Sequence, residues 1–344
     1  MRKMLWICCV LVSLLVATAT AHAGPAVEPI APEELRAKAL AAAAADAAAQ
    51  GWKTKLSLGA TTSFSQSASM VGSPDGVSVQ LGGLVDGQAE YIAGQHTWSN
   101  TLKAAYATSK TPALDQFVKA QDTLELATTY TYRLAAVSWI GPYARARFAT
   151  QMAPGYLVKP GAYDVLYQQT DGSTLPVAHY GAQAFTKVTG AFDPMLFGEA
   201  VGLFANPTES EAVTVKLKLG VGTQQLVANW GYALADDAAT PEIEMKKMRS
   251  AVQVGGEAEA LAMGQLSTDL KWKAKAAFFM PFYTNIDATP SGIDALNSDF
   301  SAGVSYRLAK WLSLDYVFVA KHVPLITDKW QIQNGAVLTA GFIL

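Results

Sequence analysis

Residues 77–91 read Val-Ser-Val-Gln-Leu-Gly-Gly-Leu-Val-Asp-Gly-Gln-Ala-Glu-Tyr, and apolar and polar side chains alternate along most of this stretch. Val77, Val79 and Leu81 fall on one side of an extended chain, whereas Ser78 and Gln80 fall on the other. A period of two residues is that of a β-strand and not of a helix. The stretch therefore predicts a strand with one apolar and one polar face.

The same alternation recurs in twelve segments, and the interruptions between them are short and long in turn. Short periplasmic turns, long outer loops and an even strand count are typical of single-chain outer-membrane barrels. We therefore predict an all-β fold, a transmembrane antiparallel β-barrel of about twelve strands over residues 52–344. The predicted strands are roughly 53–64, 77–92, 97–108, 123–134, 137–149, 194–204, 212–227, 250–263, 268–282, 300–308, 312–321 and 330–344.

Residues 1–23 have the features of a signal peptide. A basic pair, Arg2-Lys3, precedes the apolar stretch Leu5–Val16, and Ala21-His22-Ala23 forms a small-x-small cleavage site. The apolar stretch is too short for a membrane-spanning helix. Both cysteines, Cys8 and Cys9, fall within it, so we expect no thiol after cleavage. We predict export to the periplasm and localisation in the outer membrane of a Gram-negative-type bacterium.

Residues 24–51 form a separate leader in front of the predicted barrel. Gly24–Pro32 is a Pro/Ala linker, and Glu33–Gln50 is an Ala-rich stretch that begins with two acidic residues and is followed by Gly51. Acidic residues at the start and a glycine at the end predict a short helix. Two positions are open for this helix: the periplasm, or the mouth of the barrel as a plug.

Composition limits the classes of partner. Removing residues 1–23 takes two basic residues from 26 and leaves 24 against 28 acidic residues. Nucleic-acid binding needs a basic face, so no nucleic acid is expected as a partner. The expected partners are outer-membrane lipid, the machinery that assembles barrels and a possible small-molecule solute. No cofactor is expected. A charged fraction of 16% and an apolar fraction of 51% fit a protein with one face turned to lipid.

One nine-residue block carries a resemblance to a known family. Phe148–Tyr156 is similar to the Phe-x-Thr-Gln-Phe-x-Pro-Gly-Tyr block of an uncharacterised bacterial outer-membrane β-barrel family, a domain of unknown function, with Met152 in place of the aromatic residue. The resemblance implies the barrel fold but brings no known activity, ligand or catalytic residue. The matching residues of the block are Thr150, Gln151, Pro154, Gly155 and Tyr156. Further similar blocks are Tyr91-x-x-Gly94-x-His96-x-Trp98, Lys119-x-x-Asp122-x-Leu124-Glu125-Leu126, Phe192-x-Pro194 and Phe282–Asp287.

The polar side of each predicted strand should line the lumen. The candidates for lumen-facing charged residues are Lys103, Glu125, Arg145, Arg147, Lys216, Lys218, Glu257, Glu259, Lys271, Lys273 and Lys275, with Glu90, Asp299, Arg307 and Asp315 on the same side. One interpretation is that ion pairs between neighbouring strands narrow or close the lumen. In another, Arg145 and Arg147 with Lys103 form a basic path for an anionic solute, unless the arginines pair with Glu125. A site for a ligand that is not anionic is the third interpretation.

Aromatic residues give an independent indication of the membrane. Trp98, Trp139 and Trp311 lie next to predicted periplasmic turns, where an aromatic girdle belongs. The alternative is that such residues form the core of a soluble β-sandwich. The signal peptide, the even strand count and the loop alternation favour the membrane barrel.

The sequence offers little for catalysis or for a metal site. The mature histidines, His96, His179 and His322, are not in a recognisable His–Ser pattern, so no catalytic residue is assigned. Acidic residues at 236–237, 242 and 244 lack the spacing of a calcium loop and are predicted to form a solvated acidic loop, so no metal site is assigned.

The predicted function is that of a narrow pore or ligand-specific channel for small solutes. The alternatives are a structural or partner-binding barrel with a closed, salt-bridged lumen and, more remotely, a lipid-modifying enzyme of the outer membrane. The longest predicted loop, Met152–Asp193, is either a constriction inside the barrel or a projecting receptor surface.

Overall fold

A computed structural model of the chain describes residues 50–67, 76–210, 212–237, 239–286, 292–309, 311–324 and 327–343. The predicted signal peptide, linker and helix therefore lie almost wholly outside the described residues. Long strands account for most of the described part, and twelve of them belong to one barrel. These are β1 (Gly51–Ser67), β2 (Gly76–Ala93), β3 (His96–Lys110), β4 (Val118–Tyr132), β5 (Ile140–Thr150), β10 (Met195–Glu209), β11 (Val213–Val227), β14 (Ala251–Gln265), β15 (Leu270–Thr284), β16 (Asn297–Ala309), β17 (Leu312–Val323) and β18 (Thr327–Ile343).

The twelve strands close into a single antiparallel sheet in the order β1-β18-β17-β16-β15-β14-β11-β10-β5-β4-β3-β2. Closure is made by β1 and β18, where Ser57 pairs with Ile343 and Thr62 with Leu338. Every backbone polar group of a closed sheet can find a partner on a neighbouring strand, so the barrel has no free edge. The predicted fold class and strand number are confirmed. Within the described ranges, no helix is long and apolar enough to cross a membrane.

Two predicted boundaries are wrong by five residues: β4 begins at Val118 and not at 123, and β10 ends at Glu209 and not at 204. The sequence predicts a short turn at residues 206–211, but β10 continues to Glu209. The register with β11 shifts between Ala205 and Thr208, which places Pro207 in a bulge. A bulge tolerates proline because its missing N–H group is not needed in the ladder.

The two faces of the barrel differ in chemistry. On the outer face, Leu203, Leu219 and Val221 are exposed, with 68% of the Leu219 surface accessible. Aromatic rings gather beside the short turns: Trp52 lies 5.3 Å from Tyr91 and 5.6 Å from Trp98 between ring centroids. Trp139 and Trp311, which adjoin other short turns, are also exposed. An apolar belt with an aromatic band at one edge is the surface that a lipid bilayer matches.

The two longest loops fold together beyond the other end of the barrel into a small domain that the sequence did not predict. We call residues 155–189 and 232–247 the cap. Its sheet order is β12-β13-β7-β8, with β7 and β13 parallel, and β6 pairs with β9. Val165, Ile243 and Met245 form its buried core. The cap strands are β6 (Gly155–Leu157), β7 (Tyr163–Gln168), β8 (Ala178–Tyr180), β9 (Thr186–Thr189), β12 (Tyr232–Leu234) and β13 (Ile243–Lys247).

Candidate functional site

The strand register decides which side chains share the inner face. Lys103 pairs with Glu125, and Lys218 pairs with Glu259. Paired residues point to the same side of a sheet. The inner face, opposite the exposed outer leucines, carries all eleven charged residues that the sequence predicts for it: Lys103, Glu125, Arg145, Arg147, Lys216, Lys218, Glu257, Glu259, Lys271, Lys273 and Lys275.

The largest charged cluster on the inner face joins β5 to β14, with β10 and β11 between them. Arg145 donates to Glu257 at 2.8 Å and to Glu259 at 3.0 Å. Tyr143 donates its hydroxyl to Glu257 at 2.5 Å. Lys218 Nζ lies 3.0 Å from the other oxygen of Glu259. We call these five residues the wall network. The ion pairs that form are with β14, and not with Glu125 on the neighbouring β4.

Glycines on the two intervening strands make this reach possible. Tyr143, Gly202, Gly220 and Glu257 follow one another in register across the four strands. A Cβ atom at Gly220 would lie only 2.9 Å from the Tyr143 hydroxyl and 2.4 Å from the carbonyl oxygen of Val201. The side chain of Tyr143, which is almost fully buried, therefore reaches Glu257 across two strands whose residues in register with it are glycines.

Arg145, two residues after Tyr143 on β5, also lies in register with small residues on the neighbouring strands. Its register partners across β10, β11 and β14 are Ala200, Gly222 and Gly255, which are all small. The guanidinium group can therefore cross to the two glutamates along the barrel wall. Two long side chains thus lie along the wall instead of standing across the lumen.

Arg147 has different surroundings, although it is only two residues further along β5. It lies over Gly198, where a Cβ atom would come within 2.9 Å of its Nε atom. No ion pair or hydrogen bond joins Arg147 to another residue in the part of the chain that the structure describes. The two arginines that the sequence treats as a pair are therefore in distinct electrostatic settings.

Further ion pairs and hydrogen bonds lie on the inner face outside the wall network. Asp299 lies 3.8 Å from Lys275 and 3.9 Å from Lys321. At the end of the barrel beside the short turns, Arg307 bonds to Asp269 at 2.5 Å. Fully buried Asp315 accepts a hydrogen bond from Ser313 at 2.9 Å. These contacts match the ion-pairing interpretation for part of the inner face only.

The residues of the family block lie at the opposite end of the barrel, where the cap begins. Lys119 donates to Asp122 at 2.9 Å, to Gln151 at 3.1 Å and to the carbonyl oxygen of Ala153 at 2.8 Å. Asp122 accepts the backbone N–H groups of Met152 and Ala153, each at 2.8 Å. Two sequence blocks that are about 30 residues apart thus form one contact.

The remaining block residues bond to the far end of the same loop. Thr150 donates to the carbonyl oxygen of Pro194 at 2.9 Å, and Gln151 donates to those of Gly190 and Asp193 at 2.7 Å each. The N–H group of Gly155 bonds to Thr189 at 3.1 Å. Pro154 has intermediate exposure, and Tyr156 packs edge-on against Phe185 with 5.5 Å between ring centroids.

Asp193 completes this anchor and was missed by sequence reasoning. Its buried carboxylate accepts the N–H groups of Asn229, Trp230 and Gly231 at 3.0 to 3.3 Å, so it connects the first long loop to the second. The signal was present in the Phe192-x-Pro194 block, which encloses this residue. We call Lys119, Asp122, Gln151 and Asp193 the cap anchor.

The histidines are far from one another. His96 lies 2.5 Å from the Tyr130 hydroxyl on the outer face, His179 lies 2.6 Å from Asp164 on the cap, and His322 lies 3.2 Å from the carbonyl oxygen of Leu296.

The acidic loop of the cap is internally bonded. Glu244 accepts the N–H group of Asp237 at 2.9 Å and a hydrogen bond from Thr240. These bonds lower the pKa of the Glu244 carboxyl. A cluster of three or more metal-ligating side chains is absent from the described ranges.

Several solved structures are similar to the chain. The translocator domain of the autotransporter NalP from Neisseria meningitidis is 11% identical, with a TM-score of 0.37, over 91% of this chain and 95% of that one. An outer-membrane channel from Pseudomonas putida F1 is 10% identical, with a TM-score of 0.37, over 86% and 95%. A deletion mutant of the TodX monoaromatic hydrocarbon channel is 11% identical, with a TM-score of 0.37, over 89% and 92%.

A search of curated proteins found no match. A family model does match part of the chain. Residues 64–156, from near the end of β1 to the start of the cap, match the family described as a protein of unknown function, DUF3078.

Proposed function

We propose that the protein is an outer-membrane channel for small solutes. The outer face supports placement in a membrane, because it is apolar and has an aromatic band beside the short turns. The inner face supports a water-filled lumen, because charged side chains line it. The proposed orientation places the short turns in the periplasm and the cap outside the cell.

The observation that carries the proposal is that the wall network lies along the barrel wall. Eight strands give an interior that side chains just fill, and the diameter grows with strand number. Twelve strands therefore leave space along the axis if the long side chains do not cross it. The small residues in register with Tyr143 and Arg145 let both side chains lie against the wall.

The solute class that we propose is small anions, and Arg147 is the residue that we expect to act on them. Arg145 is neutralised by Glu257 and Glu259 and holds the wall together. Arg147 makes no ion pair with a described residue: the nearby Glu125, Glu257 and Glu259 are all beyond ion-pair distance. A fixed charge in a narrow lumen of low dielectric acts strongly on passing ions.

Single-channel recording of the refolded mature protein in a planar bilayer tests the channel. Discrete conductance steps are expected from protein whose barrel is intact by heat-modifiable migration on gels. Folded protein that gives no current would overturn the proposal and favour a closed structural or partner-binding barrel.

Arg147→Ala and Arg145→Ala form a matched pair for the anion preference. In a salt gradient, Arg147→Ala should move the reversal potential toward the equilibrium potential of the cation. Arg145→Ala should mainly lower the stability of the barrel. An unchanged reversal potential in well-folded Arg147→Ala would show that Arg147 does not set the anion preference.

A further inference from the structure

A further row of side chains crosses the same four strands as the wall network, closer to the cap. Arg147 on β5 is in register with Gly198 on β10. Gly198 is in register with Gln224 on β11, and Gln224 with Gln253 on β14. Residues in register point to the same side of a sheet, so the whole row lies on the inner face. Gln253 is the third residue of β14, which places the row just inside the cap end of the barrel.

The two ends of this row differ from those of the wall network, because they are not bonded to each other. Arg147 makes no ion pair or hydrogen bond with a described residue. Gln253 is only 3% exposed, and its carboxamide oxygen is buried without a hydrogen-bond partner in the described part of the chain. A buried oxygen that accepts no hydrogen bond is unfavourable, and folded proteins seldom contain one. The row therefore has a cation at one end and an unused acceptor at the other.

The carboxylates around Arg147 face other basic residues. The pairs are Glu257 with Arg145, Glu259 with Arg145 and Lys218 and, by register, Glu125 with Lys103. Within this group, the positive charge of Arg147 is thus the one that no carboxylate matches. A guanidinium group in this setting favours an anion, and a carboxylate fits its planar set of donors.

The side chain of Arg147 extends along the row toward Gln253. A Cβ atom at Gly198 would lie 2.9 Å from Nε and 3.2 Å from Cγ of Arg147, so the arginine lies over β10. Neighbouring strands are about 4.8 Å apart, so β14 is about 10 Å beyond β10. Gln224, which is partly exposed, lies between them on β11. Chloride at Arg147 would offer no donor to the oxygen of Gln253, whereas an organic acid with hydroxyl groups would.

We propose that Arg147, Gln224 and Gln253 form a binding site for an organic acid that carries hydroxyl groups, such as a sugar acid. The guanidinium group of Arg147 binds the carboxylate through two parallel hydrogen bonds. A hydroxyl group several atoms away donates to the oxygen of Gln253, and the carboxamide of Gln224 donates or accepts between them. The role of this site in transport rests on the proposed channel function, whereas the binding itself does not.

Equilibrium dialysis of the folded mature chain in detergent against labelled D-glucuronate tests the chemistry of the ligand. Saturable binding is expected. Glucose has hydroxyl groups without the carboxylate, and hexanoate has a carboxylate without hydroxyl groups, so each should compete at least tenfold less well than unlabelled glucuronate. The absence of saturable binding to heat-modifiable protein would overturn the proposal. Equal competition by hexanoate would also overturn it, because Arg147 would then bind the anion alone.

Two glutamines of similar size separate the site from the rest of the barrel. Gln253→Leu removes the unused oxygen and should weaken glucuronate binding at least tenfold without changing the weaker binding of hexanoate. Gln225→Leu is the matched control, because Gln225 lies on the outer face beside Glu199, and it should change neither. If Gln253→Leu does not fold, Gln253→Met gives the same test. Unchanged glucuronate binding in a folded Gln253 variant would overturn the site.

Current is not measured in these experiments, so the site and the channel can fail separately. A barrel that binds glucuronate but does not conduct would remove the channel and keep the site. A barrel that conducts but does not bind glucuronate would remove the site and keep the channel.

Discussion

The barrel wall between β5 and β14 and the cap anchor both hold distant parts of the chain together, but they do so in different ways. In the wall, Tyr143 and Arg145 reach Glu257 because four strands in register bring small residues beneath them. In the anchor, Asp193 and Gln151 bond directly to backbone groups of irregular loops. The wall depends on a periodic pattern, whereas the anchor depends on single residues.

The two kinds of contact predict different consequences when a single residue is lost. A wall residue belongs to a sheet whose hydrogen-bond ladders continue on both sides. Its loss should therefore lower the stability of the whole barrel. The cap has its own core of Val165, Ile243 and Met245, so loss of its anchor should leave both the core and the barrel folded. Four measurements test this contrast between the wall and the cap.

The largest effect is expected from Glu257→Ala in the wall network. The change leaves Tyr143 without its acceptor and Arg145 with Glu259 alone. Removing one partner of a buried ion pair costs about 3–5 kcal/mol of unfolding free energy. Urea unfolding in lipid vesicles should show the loss for the barrel. Glu209→Ala, at the rim beside exposed Arg133, is the control and should cost little. A loss confined to the cap would reverse the contrast.

The next effect compares two exposed leucines. Leu219→Arg places a charge on the outer face of the barrel and should cost about 2–4 kcal/mol, because lipid does not solvate a guanidinium group. Leu175→Arg, on the surface of the cap, should cost almost nothing, because water surrounds it. Yield of heat-modifiable protein and urea midpoints measure both. Similar costs for the two variants would mean that the outer face of the barrel is not in lipid.

A smaller effect is expected from Asp193→Ala in the cap anchor. Three backbone N–H groups lose their acceptor, which costs about 1–3 kcal/mol for the local structure. The cap loops should become sensitive to protease while the barrel keeps its heat-modifiable migration. A barrel that fails to form would show that the anchor belongs to the barrel core and not to the cap.

The smallest effect concerns pH and the loop of Glu244. Hydrogen bonds from Asp237 and Thr240 lower the pKa of this carboxyl below its usual value of about 4.3. Its contribution to stability is therefore complete above the unfolded pKa and is lost as the pH falls through the folded pKa. The protection of the Asp237 amide against hydrogen exchange, relative to an unfolded chain at the same pH, should fall below about pH 4. In Glu244→Gln this protection should no longer depend on pH, and a dependence that persists would assign it to another group.

The fold could be predicted from the sequence because the barrel repeats one physical rule. Alternation with a period of two, as in residues 77–91, fixes both the strand and its two faces. The inner position of the charged residues follows from the same rule. The end of β10 could not be predicted, because Asn206-Pro207 has the chemistry of a turn until the register with β11 accommodates it as a bulge.

The partners of the site residues were beyond prediction for a different reason. Alternation gives the face of Arg145 but not that its partners are three strands away, which depends on β10 and β11 presenting Ala200, Gly222 and Gly202. The cap was missed because its strands have only three to six residues, too few for a period to be visible. The family-like blocks that contain Gln151 and Asp193 mark both residues in the sequence. That the two residues lie together is visible only in the three-dimensional structure.

The parallel pairing of β7 with β13 gives the cap a place in the order of assembly. Ile243 of the second long loop pairs with Val165 of the first, and β10 and β11 lie between them in the chain. The cap sheet can form only after those two strands have been synthesised and brought their loops to the same end of the barrel. An antibody or a protein ligand that recognises the complete cap would therefore bind only molecules in which the two loops have already paired.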